Sequence, residues 1–426
     1  MRVLLTGATG FLGRYILAGL VAAGHDVVPA VRDPKAADRL LPAPRAIRVD
    51  FNRDTAAEAW LPRLEGIDAV INCAGILHGT ANQSITAIHD TSPKALFAAC
   101  EQAGVKRVVQ ISAISAEPGA GTAYASTKMA ADQYLARSNL DWIVLRPSLV
   151  YAEGAYGGTA LFRALAALPF FIPVVGSGEQ AFQPIHIDDL VATILHVLAT
   201  PSLSRRVIDP VGPELLTFAQ MLSDLRRWLG FAPAPILKVP PAMARIAVFF
   251  SALFFGGPIN RTALRQLEFG NAGPAGPFTA ATGIVPRRWK DALLAHPAQA
   301  QDRWHARLYL LRPLLRLAIG LTWIASGAVG FFYPPAIEAH FTLLGFAVPR
   351  VAFQVACVID FGVGVAVMNP PPSRWLTLLQ LALVALYTVV LTFVQPSLWL
   401  EPFGPLLKNI PFAIAILTLA AIEPER

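Results

Sequence analysis

The chain has 426 residues, 54% of them hydrophobic and only 15% charged, with a formal net charge of +7. Soluble domains run near 45–50% apolar and about 25% charged, so this length and balance imply two or more units, one with apolar surface to place outside an aqueous core. The cysteines Cys73, Cys100 and Cys357 are too far apart for a disulfide framework or a metal-ligand spacing, which fits a reducing compartment and predicts no metal centre.

Arg2–Leu5 reads as a strand and Tyr15–Ala23 as a helix. The apolar start is cut at Gly7 and Gly10, which is not the pattern of a secretory leader. Between strand and helix lies Thr6-Gly7-Ala8-Thr9-Gly10-Phe11-Leu12-Gly13. Glycines in a strand-to-helix turn point to nucleotide binding. Gly7 permits the tight turn, Gly10 lets backbone approach a pyrophosphate, and Gly13 lets the helix pack close to the sheet. Thr9, Phe11 and Leu12 complete the expected cofactor-contacting turn, at a helix end whose free N–H groups favour phosphate.

Asp26–Val31 is the second expected strand, ending at Arg32-Asp33. An Arg there suits the 2′-phosphate of NADP(H), which is favoured, while Asp33 keeps NAD(H) open. A third strand near Ala46–Val49 leads to Asp50 and Phe51, placed to flank the adenine. A fourth, Ala69–Asn72, leads to Cys73, Ala74 and Gly75, small residues where backbone passes close to a cofactor. The next helix, Thr86–Ala103, is either kinked or started in its main part by Pro93. Arg107–Ser112 and Asp141–Arg146 are the fifth and sixth strands, the latter closed by Pro147-Ser148. Tyr124 and Lys128 open the helix between them, on one face. Strands alternating with helices predict an α/β doubly wound parallel sheet, with ligands beyond the strand ends where Gly10, Ser112 and Pro147 fall.

From Tyr151 to 296 the pattern suggests a small substrate-side lobe, with helices at Thr159–Leu168, Asp188–Ala199 and Phe218–Leu229 and Asp188 as an N-cap. Leu161, Phe162, Leu165, Leu168, Phe170, Phe171 and Ile172 form an apolar strip expected to line a pocket. Ile246–Phe255 is too short to span a bilayer and reads as a core or interfacial helix.

After a polar connector at 297–311, the segments Leu317–Tyr333, Val351–Met368, Trp375–Val394 and Phe403–Ile422 carry almost no charge and no polar face. They predict an all-α four-helix transmembrane domain over 312–426, its spans set apart by Pro334-Pro335, Pro370-Pro371-Pro372 and Pro396. Seven basic residues against two acidic ones between 286 and 316 put that side, with both termini, in the cytoplasm of an inner membrane. They favour anionic lipid over nucleic acid. Asp360 within a span is costly and should face the bundle, with Gly362 and Gly364 permitting close helix approach.

The glycine turn, Asn72–Gly75, Ser112, Tyr124/Lys128, Arg146-Pro147-Ser148 and Phe182–Asp189 together resemble the extended and atypical short-chain dehydrogenases/reductases, over residues 1 to about 296. The branch that includes the accessory subunit of complex I is similar. The resemblance implies Tyr124 as general acid/base, Lys128 as its tuner and nicotinamide-ribose ligand, and Ser112 as the hydroxyl that orients a carbonyl. A lysine cation beside a phenol favours phenolate. His89-Asp90-Thr91 stands where many relatives place an Asn supporting a proton relay. Residues 312–422 resemble DoxX-like four-helix membrane proteins, notably in Gly404–Pro411.

The expectation is therefore a membrane-anchored NAD(P)H-dependent oxidoreductase acting on a lipophilic carbonyl or quinone-like substrate, in contact with membrane lipids and without nucleic acid. Two alternatives stand beside it. One is a non-catalytic NADPH-binding assembly subunit with a membrane-complex partner. The other is a sugar-nucleotide epimerase or dehydratase, against which the apolar strip argues.

Overall fold

A computed structural model describes residues 1–40, 46–80, 82–254, 260–332, 350–369, 373–402 and 404–423. The expected breaks at Pro334-Pro335 and Pro370-Pro371-Pro372, and the span edges at Tyr333 and Phe403, lie outside them. Contacts divide the chain into one unit of Met1–Val248 with Pro258–Arg303, and a second of Trp304–Arg426 with Phe249–Gly257.

In the first unit, strand β1 (Arg2–Thr6) buries Val3 and Leu5 on one face and Leu4 on the other, the period-two consequence of a pleat. Helices cover both faces, so both are apolar. Phe11–Ala22 and Ile187–Ala199 lay Ile16, Leu20, Leu190 and Ile194 on the first. Ser92–Ala103 and Ala123–Ala136 lay Leu96, Phe97, Ala131 and Leu135 on the second. The remaining strands, in chain order, are β2 (Asp26–Val31), β3 (Ile47–Arg48), β4 (Ala69–Asn72), β5 (Arg107–Ile111), β6 (Trp142–Leu145), β7 (Val150–Tyr151), β8 (Ile172–Val175), β9 (Ala181–Phe182), β10 (Ile185–His186), β11 (Arg206–Ile208), β12 (Leu216–Thr217) and β13 (Ile236–Val239).

Seven of them form one parallel sheet in the order β11-β6-β5-β4-β1-β2-β3. The strand order reverses between β1 and β4, and the crevice of a doubly wound sheet opens at such a switch point. Short two-stranded pairs, β10 with β7, β12 with β9 and β13 with β8, build the lobe around Tyr151, Phe182, Phe218, Met221 and Trp289.

Several expectations shift. β11 was not foreseen, because Arg206 and Val207 are exposed and leave no periodic signal. A π-helical turn over Ala87–Thr91 precedes the regular helix Ser92–Ala103, so Pro93 starts that helix, where its missing N–H is harmless. Asp188 is not the N-cap of its helix. His186 is, its ring accepting from the Asp188 N–H, while Asp188 pairs with Arg287 at 2.9 Å. The expected helix Ile246–Phe255 begins earlier and runs Pro241–Phe254.

In the second unit the described helices are Ala300–Phe332, Arg350–Met368, Arg374–Val394 and Asn409–Ile422. The first runs unbroken through most of the stretch read as a connector, with Pro313 inside it. Ala300–Phe332 and Arg374–Val394 are long and apolar enough to cross a membrane, while Phe353–Met368 and Asn409–Ile422 are apolar but shorter. Asp360 is buried and satisfied by Ser326 (3.1 Å) and Tyr387 (2.8 Å) from neighbouring helices. Gly364 does permit close approach, since a Cβ there would sit 2.7 Å from Gly320 O. Gly362 does not, for no described residue lies within 4 Å of its Cβ position. Gly327, facing Cys357 O, does that work instead.

Candidate active site

The glycine turn sits at the switch point. Gly7 has φ +67°, and a Cβ on it would lie 2.8 Å from Cys73 O, so β1 and β4 meet there with only backbone between them. A Cβ on Gly13 would lie 2.1 Å from Gly7 O, which is why the helix starting at Phe11 must have glycine in its first turn. Gly10 is the N-cap of that helix. No side chain caps it and no acidic residue stands in the first turn. Its leading N–H groups are therefore directed at whatever the crevice holds, which fits a pyrophosphate. Phe11 stacks on Tyr156 at 5.4 Å, tying the turn to the lobe.

At the end of β2, Arg32 is exposed, and the Gln83 amide oxygen accepts from its guanidinium at 2.5 and 2.7 Å. Asp33 turns away, capping the helix Pro34–Leu40 by accepting from the Ala36 N–H at 3.2 Å. Asp50 accepts from the Asn52 N–H at 3.0 Å. Phe51 is buried, with its ring edge-on to Trp60 at 5.4 Å. Pro147 O accepts from the Ile114 N–H, which joins the ends of β5 and β6.

Lys128 comes close to both Tyr124 and Gly75, on the carbonyl just before Ser112. Lys128 is buried, donates to Ile111 O at 3.0 Å, and places Nζ 5.8 Å from the centre of the Tyr124 ring. A Cβ on Gly75 would lie 3.6 Å from that Nζ, so the β4 loop also reaches the lysine.

Two residues that sequence reasoning did not assign to the site control its charge. The Ser112 hydroxyl donates to the Asp132 carboxylate. Asp132 stands four residues after Lys128, as Lys128 stands four after Tyr124, so all three share one helix face. That repeat was the available signal. Burial first, and the Asp132 charge second, push the Tyr124 phenol above its ordinary range, opposite to the lowering expected from Lys128. Burial lowers Lys128, while Asp132 works to keep it charged. Beneath them runs a buried polar row, Thr6 to Asn72 (2.6 Å) and Asn72 to Gln110 (2.7 Å), on strand residues that look like core by position.

The second is His89, edge-on to Tyr124 at 5.4 Å. Its Nε2 accepts from the Ile76 N–H at 3.0 Å, so the proton sits on Nδ1 and is directed at Thr127 Oγ1, 3.2 Å away. Burial, then the Lys128 charge, depresses its pKa to about 2. A neutral ring engaged at both nitrogens holds the loop against the helix and does not relay protons.

Among the described residues, Glu153, His186 and His296 bring donor atoms within 4.8 Å of one another. The N-cap bond makes His186 Nδ1 an acceptor, which leaves the proton on Nε2, facing Glu153 Oε1 at 3.8 Å. Glu153 also lies 3.1 Å from His296 Nδ1. The set is a carboxylate held between two imidazoles.

A family model described as NAD(P)H-binding matches residues 7–164. The 3-diazoavenalumate denitrifying reductase of a Streptomyces species is 30% identical over 272 residues, which is 57% of this chain and 86% of that protein. The chain belongs to the NAD(P)H-binding, short-chain-dehydrogenase-like family. Other proteins are similar at lower identity. The ceramide reductase of Caulobacter vibrioides is 25% identical, covering 56% of this chain and 73% of that protein. A complex I subunit of Arabidopsis thaliana, the mitochondrial NADH dehydrogenase [ubiquinone] 1 alpha subcomplex subunit 9, is also 25% identical, covering 55% and 61%. The chain spans only about a quarter, 26%, of the length of a Mycobacterium tuberculosis protein that it matches at 25% identity. A double mutant of DesIV, a dTDP-glucose 4,6-dehydratase of Streptomyces venezuelae, solved with NAD, shares the fold at TM-score 0.54 and 21% identity, over 72% of this chain and 97% of that one. Residues 320–417 match a DoxX-like family model.

Proposed function

We propose that this chain is a membrane-anchored NAD(P)H-dependent oxidoreductase that reduces a lipophilic carbonyl or quinone-like compound. One observation carries the reading: Lys128 stands against both the Tyr124 ring and Gly75 and holds the Ile111 carbonyl that precedes Ser112. A reduced nicotinamide, when bound, supplies the hydride. Tyr124 supplies the proton to the substrate oxygen. A phenol that burial keeps protonated is in the correct state for that role, since reduction begins with an acid and not a base. Lys128 supports the charge left on the phenol, and Ser112 orients the oxygen once its hydroxyl turns from Asp132 to the substrate. The backbone at Gly7, Thr9, Gly10, Phe11, Leu12 and Gly13 holds the pyrophosphate, and the chain at Asp50-Phe51, Cys73, Ala74 and Pro147 borders the cofactor. Arg32 places an exposed cation at the end of β2, which favours NADP(H) over NAD(H).

Residues 1–296 form the reductase domain, 297–311 the connector and 312–426 a four-span domain of the inner membrane, with both termini in the cytoplasm. The DoxX-like match and the two long apolar helices support this placement. The relative named ceramide reductase supports a lipid-like substrate. The test is NADPH oxidation by the detergent-purified chain against a panel of lipophilic ketones and quinones, with loss of turnover in Tyr124→Phe. Turnover that survives this change refutes the assigned chemistry.

A second reading, a cofactor-holding assembly subunit, is favoured by the Ser112 hydroxyl already being given to Asp132. It predicts retained NADPH, no turnover on any member of the panel, and a co-purifying membrane partner.

A further inference from the structure

The apolar strip at 161–172 does not line one pocket. Phe162 and Ile172 enter the core of the lobe, whereas Phe170 is 78% exposed and Phe171 37%. Their exposure is built in. The buried Arg226 donates to Ala166 O (2.8 Å), Leu168 O (2.6 Å) and Ala232 O, so one cation fixes both chain segments behind the Phe170-Phe171 knuckle. Beside the knuckle, β13 pairs with β8, with Ile236 opposite Ile172, and Ile236 and Leu237 are 43% and 46% exposed. The chain then enters the helix Pro241–Phe254, where Met243 and Ile246 face solvent about one turn apart and Val248 is buried.

The charge around this face has one sign. Residues 164–175 carry none, and residues 232–248 carry only Lys238 and Arg245, both exposed. Protein partners that pair with an exposed strand need its N–H groups, but Pro173, Pro235, Pro240 and Pro241 interrupt this ribbon and its flanks. An aromatic knuckle, an apolar helix face and basic residues without acidic ones match the boundary between acyl chains and anionic headgroups. We propose that Phe170, Phe171, Ile236, Leu237, Met243 and Ile246 form a lipid-docking face that seats the reductase unit on an anionic bilayer. This rests on the reading that the C-terminal helices span the membrane, and it adds that the reductase unit itself touches lipid.

The full chain, reconstituted in nanodiscs of phosphatidylethanolamine and phosphatidylglycerol carrying a lipid with a diazirine near the top of its acyl chain, tests it. After irradiation, adducts are mapped by peptide mass spectrometry. Expected are lipid adducts on 166–175 and 232–248 as well as on the helices Ala300–Phe332 and Arg374–Val394. Phe170→Ser with Phe171→Ser should reduce the adducts over 232–248 severalfold and leave those on the helices unchanged. Adducts on the helices alone overturn the docking face and leave the membrane domain standing. Adducts on neither overturn both.

Discussion

Ser112 gives its hydroxyl proton to Asp132, across 20 residues of chain, and so the group expected to orient a carbonyl is itself held by a buried carboxylate. Asp132 lies under the charge balance of the site, opposing Tyr124 ionisation and supporting the Lys128 cation. Asp132→Asn keeps an acceptor for Ser112 and removes the charge. The Tyr124 phenol should then ionise at lower pH, read by ultraviolet difference titration against Tyr124→Phe. The alkaline limb of reductase activity should move down with it. An unmoved titration would show that the phenol does not feel this carboxylate.

Tyr124→Phe removes the proton donor and little else, since the ring still packs against His89. Turnover should fall about 10²–10⁴-fold, the range for loss of a positioned acid, while NADPH affinity is held. Equal loss of cofactor affinity would recast Tyr124 as a binding residue.

Arg32→Ala takes away the cation at the end of β2 but spares the Asp33 cap. Loss of a charge-assisted hydrogen bond should weaken NADPH about 10- to 100-fold in a fluorescence titration, and NADH hardly at all. Parallel losses for both nucleotides would remove Arg32 from the 2′-phosphate site.

His89 should make the reductase unit acid-sensitive. Its pKa is depressed to about 2 in the fold from an unfolded value near 6.5. The unfolded chain therefore binds a proton that the folded one refuses. Stability from this group is complete above pH 6.5 and falls by about 1.4 kcal/mol per pH unit as the pH drops below it. His89→Asn can accept from Ile76 and cannot titrate, so melting temperature against pH should flatten between pH 6.5 and 4. An unchanged slope would assign the acid sensitivity to other groups.

Two glycines of the second unit make a paired test. Gly364→Val sets a side chain against Gly320 O and should destabilise the detergent-solubilised protein by about 1–3 kcal/mol, as overpacking does. Gly362→Val has open space and should melt close to wild type. Equal effects would mean that the helices do not meet at Gly364.

The order of the first six strands and their helices, the glycine turn and the pairing of Tyr124 with Lys128 were legible in the residues alone, because each depends on local periodicity or on steric demands within one turn of chain. The same is true of the apolar helices after residue 300. What only the tertiary structure decided are facts about who meets whom. Phe51 follows a strand end, and only the fold shows that Trp60 packs edge-on against its ring. Phe170 and Phe171 looked like pocket lining and point outward, because Arg226 fixes the backbone behind them. The protonation of Tyr124 depends on burial and on Asp132 together, and neither burial nor the sum of fields at one atom is written in a spacing. Short-range geometry is a property of neighbouring residues, whereas desolvation and charge belong to whatever the fold brings within a few ångströms.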